Sequence, residues 1–192
     1  AAPTPVSAYL HAAAMVKAGI YLVARLAPGF SDQPVWLPMI LGVGGLTMLI
    51  GAWRALRQYD LKLLLAYGTV SQLGFLTIMA GTGDYNGGVT ALTLLLAPAM
   101  FKAALFLTVG VIDAATGTRD LRELSGLHRN LRWAFIPALL AIGSMVGLPP
   151  AAGYVGKEAA LYALVGSPEP AAVVTLVVVI IGSVLTFAYG AR

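Results

Sequence analysis

The stretch Gly147–Glu158 reads G-L-P-P-A-A-G-Y-V-G-K-E, and it interrupts an otherwise oily sequence. Ala134–Val146 before it carries no charge, and A-A-L-Y-A-L-V after it is apolar again. A residue that precedes proline is pushed out of helical geometry. Pro149 and Pro150 therefore end a helix near Gly147, and Gly153 and Gly156 let the backbone turn and restart. The spacing predicts two half-helices with an irregular middle. In lipid, irregular backbone is tolerated only where protein or a water cavity satisfies it. Lys157 falls at the start of the second half. The positive end of that half-helix and desolvation both oppose its charge, which suits it to load and release a proton. Glu158 helps at a helix start but, as the next residue, points to a different face.

Composition fixes the solvent. The chain has 192 residues, 59% hydrophobic and only 10% charged, with a mean hydropathy of +0.85. Soluble domains carry about 25% charged residues, so this inventory describes an integral membrane protein. With no cysteine, disulfides, thiolate metal sites and cysteine nucleophiles are excluded. The net charge of +4 comes mostly from loop residues and serves as a topology signal, not as a nucleic-acid footprint. The N-terminus has no basic region before an apolar core, so it is not a signal peptide. Both ends adjoin apolar runs and look cut, which suggests an internal piece of a longer membrane protein.

Six apolar runs are long enough to cross a hydrocarbon core, which takes about 20 helical residues. They lie at about 5–27, 35–57, 61–81, 88–113, 132–165 with the break, and 171–190. Their length and Leu/Ala content favour helices over barrel strands. The fold class is thus all-α, a polytopic helix bundle forming one transmembrane domain over residues 1–192. Basic residues alternate loop by loop. Arg54, Arg57 and Lys62 lie in one loop, and Arg119, Arg122, Arg129 and Arg132 in another, whereas the intervening loops hold only Asp32 and Asp84. The positive-inside rule puts loops 54–62 and 114–132 in the cytoplasm. In 114–132, Leu121, Leu124, Leu127 and Leu131 recur at helical spacing between charges, which predicts a short amphipathic helix at the interface. His128 belongs to that polar surface rather than to a metal, since the only other histidine is His11.

Ionisable side chains inside the spans are the candidate functional residues. One facing lipid costs about 2.5–3.5 kcal/mol. His11 shares a helical face with Ser7, Ala14 and Ala18, and it reads either as a hydrogen-bonded packing residue or as a proton relay. Lys17 is too deep to snorkel with ease. Lys102 lies one turn after Pro98, which removes the hydrogen bond to the Leu94 carbonyl and kinks the helix. A freed carbonyl beside an ammonium makes a hydrophilic spot that water can fill. A broken helix carrying an ionisable group is also a layout of secondary transporters.

Four ordered stretches carry a family resemblance. They are Pro3–Leu22 (P-T-P-V-S-A-Y-L-H-A-A-A-M-V-K-A-G-I-Y-L), Asp60–Gly74 (D-L-K-L-L-L-A-Y-G-T-V-S-Q-L-G), Phe101–Phe106 (F-K-A-A-L-F) and Gly147–Glu158. Together they resemble the antiporter-like family, which comprises the large subunits of Mrp-type Na+/H+ antiporters and the proton-pumping subunits of respiratory complex I. Gly110–Leu127 looks most like the A-type large subunit of Mrp antiporters. The resemblance implies a fourteen-helix core in which this chain supplies spans eight to thirteen. It also implies a water-connected axis of charged residues, with His11, Lys102 and Lys157 matching family positions and Lys17 a position common in Mrp-type members. The implied function is H+ and Na+ transport in the cell membrane within a multi-subunit complex, without a cofactor. The alternative it leaves is a pumping subunit of NADH–quinone oxidoreductase or a related hydrogenase, with redox chemistry in partner subunits. The chain departs from the family at Pro98, where histidine is usual, and at Ala152 and Gly156, which replace phenylalanine and serine.

Overall fold

The computed structural model describes residues 6, 8–10, 15–83, 85–126, 131–166 and 170–192, with backbone alone for 85, 86 and 170. Among them, seven α-helices follow in order: α1 (Met15–Phe30), α2 (Trp36–Leu56), α3 (Leu61–Gly81), α4 (Tyr85–Thr116), α5 (Arg132–Val146), α6 (Ala152–Val165) and α7 (Pro170–Gly190). Among the described residues, four segments are long and apolar enough to cross a membrane: Trp36–Leu56, Leu61–Gly81, Gly87–Thr116 and Ala171–Gly190. At 1.5 Å per residue, α2 and α3 each extend about 31 Å, one hydrocarbon thickness. Helices α5 and α6, of 15 and 14 residues, reach only about 22 Å each, so the crossing needs both. The predicted broken span is therefore present. Helix α1 runs to Phe30, past the predicted end near residue 27, because Pro28 is accommodated inside the helix.

Helix α3 is the most enclosed element and packs against α1, α2, α4 and α7. Its approach to α2 is close because small residues face each other. A Cβ on Gly74 would stand 2.5 Å from the Gly44 oxygen, and one on Gly51 2.6 Å from the Ser71 nitrogen. Backbone-to-backbone contact of this kind is how helices gain packing energy in lipid, where burial of apolar surface gives no advantage. The outward faces carry exposed large apolar side chains such as Leu46, Ile50, Leu92, Leu96 and Val184, as a bilayer-facing surface requires.

The two ends of the bundle differ. At one end the indole of Trp36 donates to the Gly81 oxygen at 2.8 Å and stacks on Phe30. At the other, the basic loops are tied together. Leu61 N–H donates to Arg119 O at 3.0 Å and Leu121 N–H to Tyr59 O at 2.9 Å, an antiparallel bridge between Asp60 and Asp120. The Asp60 carboxylate caps α3 through the N–H groups of Lys62 and Leu63. Arg122 and Arg192 both lie over the Tyr59 ring, at 4.6 and 5.1 Å, and Arg192 donates to Leu56 O.

This arrangement corrects the helix predicted within 114–132. Residues 121–123 form a turn and 124–126 carry no helix, while residues 127–130 lie outside the described set. The leucine spacing lost to pairing. Gly117 and Gly126 take positive φ, and the Asp120 carboxylate binds the Arg122 backbone and guanidinium. Pairing with the 59–61 backbone then satisfies groups that a lone helical turn would leave open.

Candidate functional site: three lysines around Pro98

The break between α5 and α6 builds the first part of the site. Helix α5 ends at Gly147, whose φ of 95° is the left-handed region that glycine adopts without penalty. The chain turns through the cis Pro149–Pro150 bond and restarts at Ala152. Gly153 packs directly on the last turn of α5. A Cβ there would collide with the Ser144 carbonyl oxygen, and the Gly153 N–H donates to the Ser144 hydroxyl at 3.2 Å. Gly156 is not a turn residue as the sequence suggested. It lies inside α6, buried, where a Cβ would meet the Leu94 side chain of α4 at 3.0 Å.

Lys157 sits in the second turn of α6, and its Nζ donates to the Val146 carbonyl at 2.8 Å. Val146 is the last residue of α5, so this oxygen belongs to the negative end of a helix. The first half-helix thus favours the charge that the second half-helix opposes. Glu158 is exposed and points elsewhere.

Helix α4 runs through Pro98 without interruption. The sequence placed the Lys102 ammonium beside the backbone that Pro98 disturbs. Instead, Lys17 occupies that place, its Nζ donating to the Leu95 carbonyl at 2.8 Å. Lys102 reaches across to α3. It is 1% exposed, and its Nζ stands 3.4 Å from the Leu65 carbonyl, an oxygen that also accepts from the Thr69 hydroxyl at 2.8 Å. Gly68 makes room for it, since a Cβ there would come within 3.0 Å of Nζ and 3.1 Å of the Tyr189 hydroxyl. Arg119 and Arg122 form salt bridges in the basic loops. The three membrane lysines each donate to a backbone carbonyl.

Two small cavities meet at Pro98. One, of about 20 Å³, holds Lys17, Thr69 and Lys102. The other, of about 30 Å³, holds Ser71, Lys157, Ser183 and Thr186. A water needs roughly 10–15 Å³ of such space and two to four polar partners, so each cavity suits one or two waters. The Ser71 hydroxyl and the Gln72 Oε1 are sealed from solvent without a protein partner. Leaving such a group unpaired costs about 1–3 kcal/mol. A larger space of about 310 Å³ is lined by Ser31, Trp36 and Thr82 at the other end of the bundle from the basic loops.

Of the sequence candidates, the structure brings together Lys17, Lys102, Lys157, Pro98 and Gly153. His11 lies outside the described residues, as do Asp84 and His128. Sequence reading passed over Ser71, Gln72 and Tyr189. The signal for the first two was a Ser-Gln pair in an apolar span. It also passed over Arg25, exposed near the C-terminal end of α1.

The family model described as NADH:quinone oxidoreductase/Mrp antiporter, TM, matches residues 1–186. The Na(+)/H(+) antiporter A subunit of Alkalihalophilus pseudofirmus is 44% identical over 209 residues, covering 98% of this chain and 26% of that protein. The Na(+)/H(+) antiporter A subunit of Bacillus subtilis is 45% identical over 168 residues, covering 82% and 21%. Among solved structures, the Mrp complex from Dietzia sp. DQ12-45-1b matches with a TM-score of 0.93 at 44% identity, over 100% of this chain and 21% of that chain. An archaeal respiratory membrane complex, the membrane-bound sulfane sulfur reductase, matches with a TM-score of 0.88 over 98% of this chain and 39% of that chain. At 23% identity that likeness shows the fold alone. The chain spans about a quarter of the length of the curated relatives it matches. It is a membrane protein, and it belongs to the NADH:quinone oxidoreductase/Mrp antiporter transmembrane family.

Proposed function

We propose that this chain forms part of the proton-translocating membrane subunit of a monovalent cation (Na+)/H+ antiporter complex. The observation that carries this reading is the set of three ammonium groups around Pro98, each held by a backbone carbonyl and beside space for water. A carbonyl binds the protonated lysine as an acceptor but has no charge to lock it. The lysine can therefore give its proton to a neighbouring water, stand as a neutral amine, and be reprotonated. Protonating one amine makes a second ammonium nearby less favourable. Charge states along Lys17, Lys102 and Lys157 then shift in sequence, and that sequence couples to Na+ movement elsewhere in the complex. In this reading His11, a family position by resemblance, serves as a further proton relay. The identity of 44% to Na(+)/H(+) antiporter subunits favours this reading over a redox-driven pump. The remaining subunits of the complex and the lipid bilayer are the partners. The loops at 54–62 and 114–132 face the cytoplasm of a cell whose plasma membrane holds the complex.

The test is Na+-induced dequenching of a pH-sensitive dye in everted vesicles carrying the assembled complex. Lys157→Ala and Lys102→Ala each abolish the signal while the complex still assembles. Unchanged dequenching in both would refute the assignment.

A further inference from the structure

The two cavities are separated by a wall whose residues are common to both: Gln72, Leu76, Leu94 and Pro98. Of these four, only Gln72 has a side chain that forms hydrogen bonds. Its Oε1 is sealed from solvent and unpartnered, as is the hydroxyl of its neighbour Ser71, which is 1% exposed and lines the Lys157 cavity. Two adjacent buried acceptors without partners, next to water-sized space and ammonium groups, mark where water sits in folded proteins. The amide is also bipolar, with an oxygen that accepts and a nitrogen that donates.

We propose that Gln72, aided by Ser71, holds the waters that join the Lys17–Lys102 cavity to the Lys157 cavity, and so is the positioning residue for proton passage across the Pro98 wall. Gln72 does not ionise. One water takes the proton from Lys102, leaving a neutral amine, and the waters ordered by Gln72 and Ser71 deliver a proton to neutral Lys157, leaving an ammonium. One proton leaves and one arrives, so charge is conserved along the path. An apolar side chain at position 72 would leave the wall wholly hydrocarbon, with no polar side chain common to the two cavities. The proposal rests on the transport reading given above.

The experiment uses the assembled complex in everted vesicles and compares Gln72→Met, of similar length but unable to hold water, with Gln72→Asn, which keeps the uncharged amide. Gln72→Met is expected to lower the antiport rate at least about tenfold with assembly unchanged, and Gln72→Asn to keep at least about a third of it. The D2O isotope effect on the rate should rise in Gln72→Met, because proton passage becomes limiting. A Gln72→Met rate within about twofold of the parent, an equal loss in both variants, or an unchanged isotope effect would each overturn the proposal. If Gln72→Met does not assemble, Ser71→Ala decides. It should slow antiport at least about threefold in an assembled complex, and an unchanged rate overturns the bridge. If Lys102→Ala and Lys157→Ala abolish antiport while Gln72→Met does not, only the bridge falls. If the lysine variants transport normally, the transport reading itself falls.

Discussion

Replacing Gly153 with alanine tests the hinge on which the Lys157 position depends. An added Cβ would overlap the Ser144 carbonyl oxygen and lie 2.8 Å from its carbon. The obstacle is backbone, so no rotamer change relieves it. The start of α6 must withdraw from the end of α5 by on the order of 1 Å, because cores at this density have no slack. Overpacking costs about 1–3 kcal/mol, with the upper end expected against backbone. The bond from Gly153 N–H to Ser144 Oγ is lost too, at about 1 kcal/mol. The better helix propensity of alanine returns about 1 kcal/mol. The net destabilisation is about 2–3 kcal/mol, which corresponds to a drop in melting point on the order of 5 °C. Withdrawal also separates Lys157 from the Val146 carbonyl, and a 1 Å misplacement can lower a rate on the order of a hundredfold. Differential scanning fluorimetry of the purified complex and dye dequenching in vesicles read the two effects. Gly42→Ala is the control, because nothing lies within 4 Å of a Cβ there. If Gly153→Ala melts and transports like Gly42→Ala, the close approach of α5 and α6 is not the feature that places Lys157.

Two further outcomes follow from the same geometry. Gly68→Ala pushes a methyl group to within 3.0 Å of the Lys102 ammonium; the side chain can bend away, so the complex should assemble normally but transport at least about threefold more slowly, and full antiport would show that Lys102 needs no contact with Leu65. In the basic loop, Arg122 holds the Asp120 carboxyl down to about 2. The Arg122 contact therefore stabilises the loop above the ordinary carboxylate range, and this contribution disappears as pH falls through about 2. Hydrogen exchange at the Leu121 and Arg122 amides, corrected for intrinsic rates, should hold near pH 5 and increase below pH 4, and Asp120→Asn should abolish that pH dependence; equal exchange in both proteins across this range contradicts it.

The large features of the fold were legible because each rests on a single strong effect. Twin prolines in an oily run can only break a helix, and the structure ends α5 at Val146 and restarts at Ala152. Apolar length and the alternation of arginines likewise fixed the order of spans. The loop at 114–132 was not legible. Its leucines have helical spacing, yet the backbone of residues 59–61, distant in sequence, offered better hydrogen bonds. The site was legible in its residue types but not in its pairings. Pro98 announced disturbed backbone, and Lys102, one turn away, looked like its partner. Only packing reveals that Lys17, from another helix, reaches Leu95, while Lys102 extends to α3. Local spacing specifies which face a side chain takes on its own helix. It does not specify which neighbour that face meets, and Gln72 became visible only once two cavities were found to share it.

The proposed proton route needs Lys17, Lys102 and Lys157 in hydrated pockets on the two sides of Pro98. The most direct measurement is an electron cryo-microscopy map of the assembled complex at a resolution that locates water. At least one ordered water is expected in each cavity, bonded to a lysine Nζ and to Gln72 or Ser71, with all three ammonium groups inside the bundle. Dry cavities, or lysines that turn out to the headgroups, would contradict it.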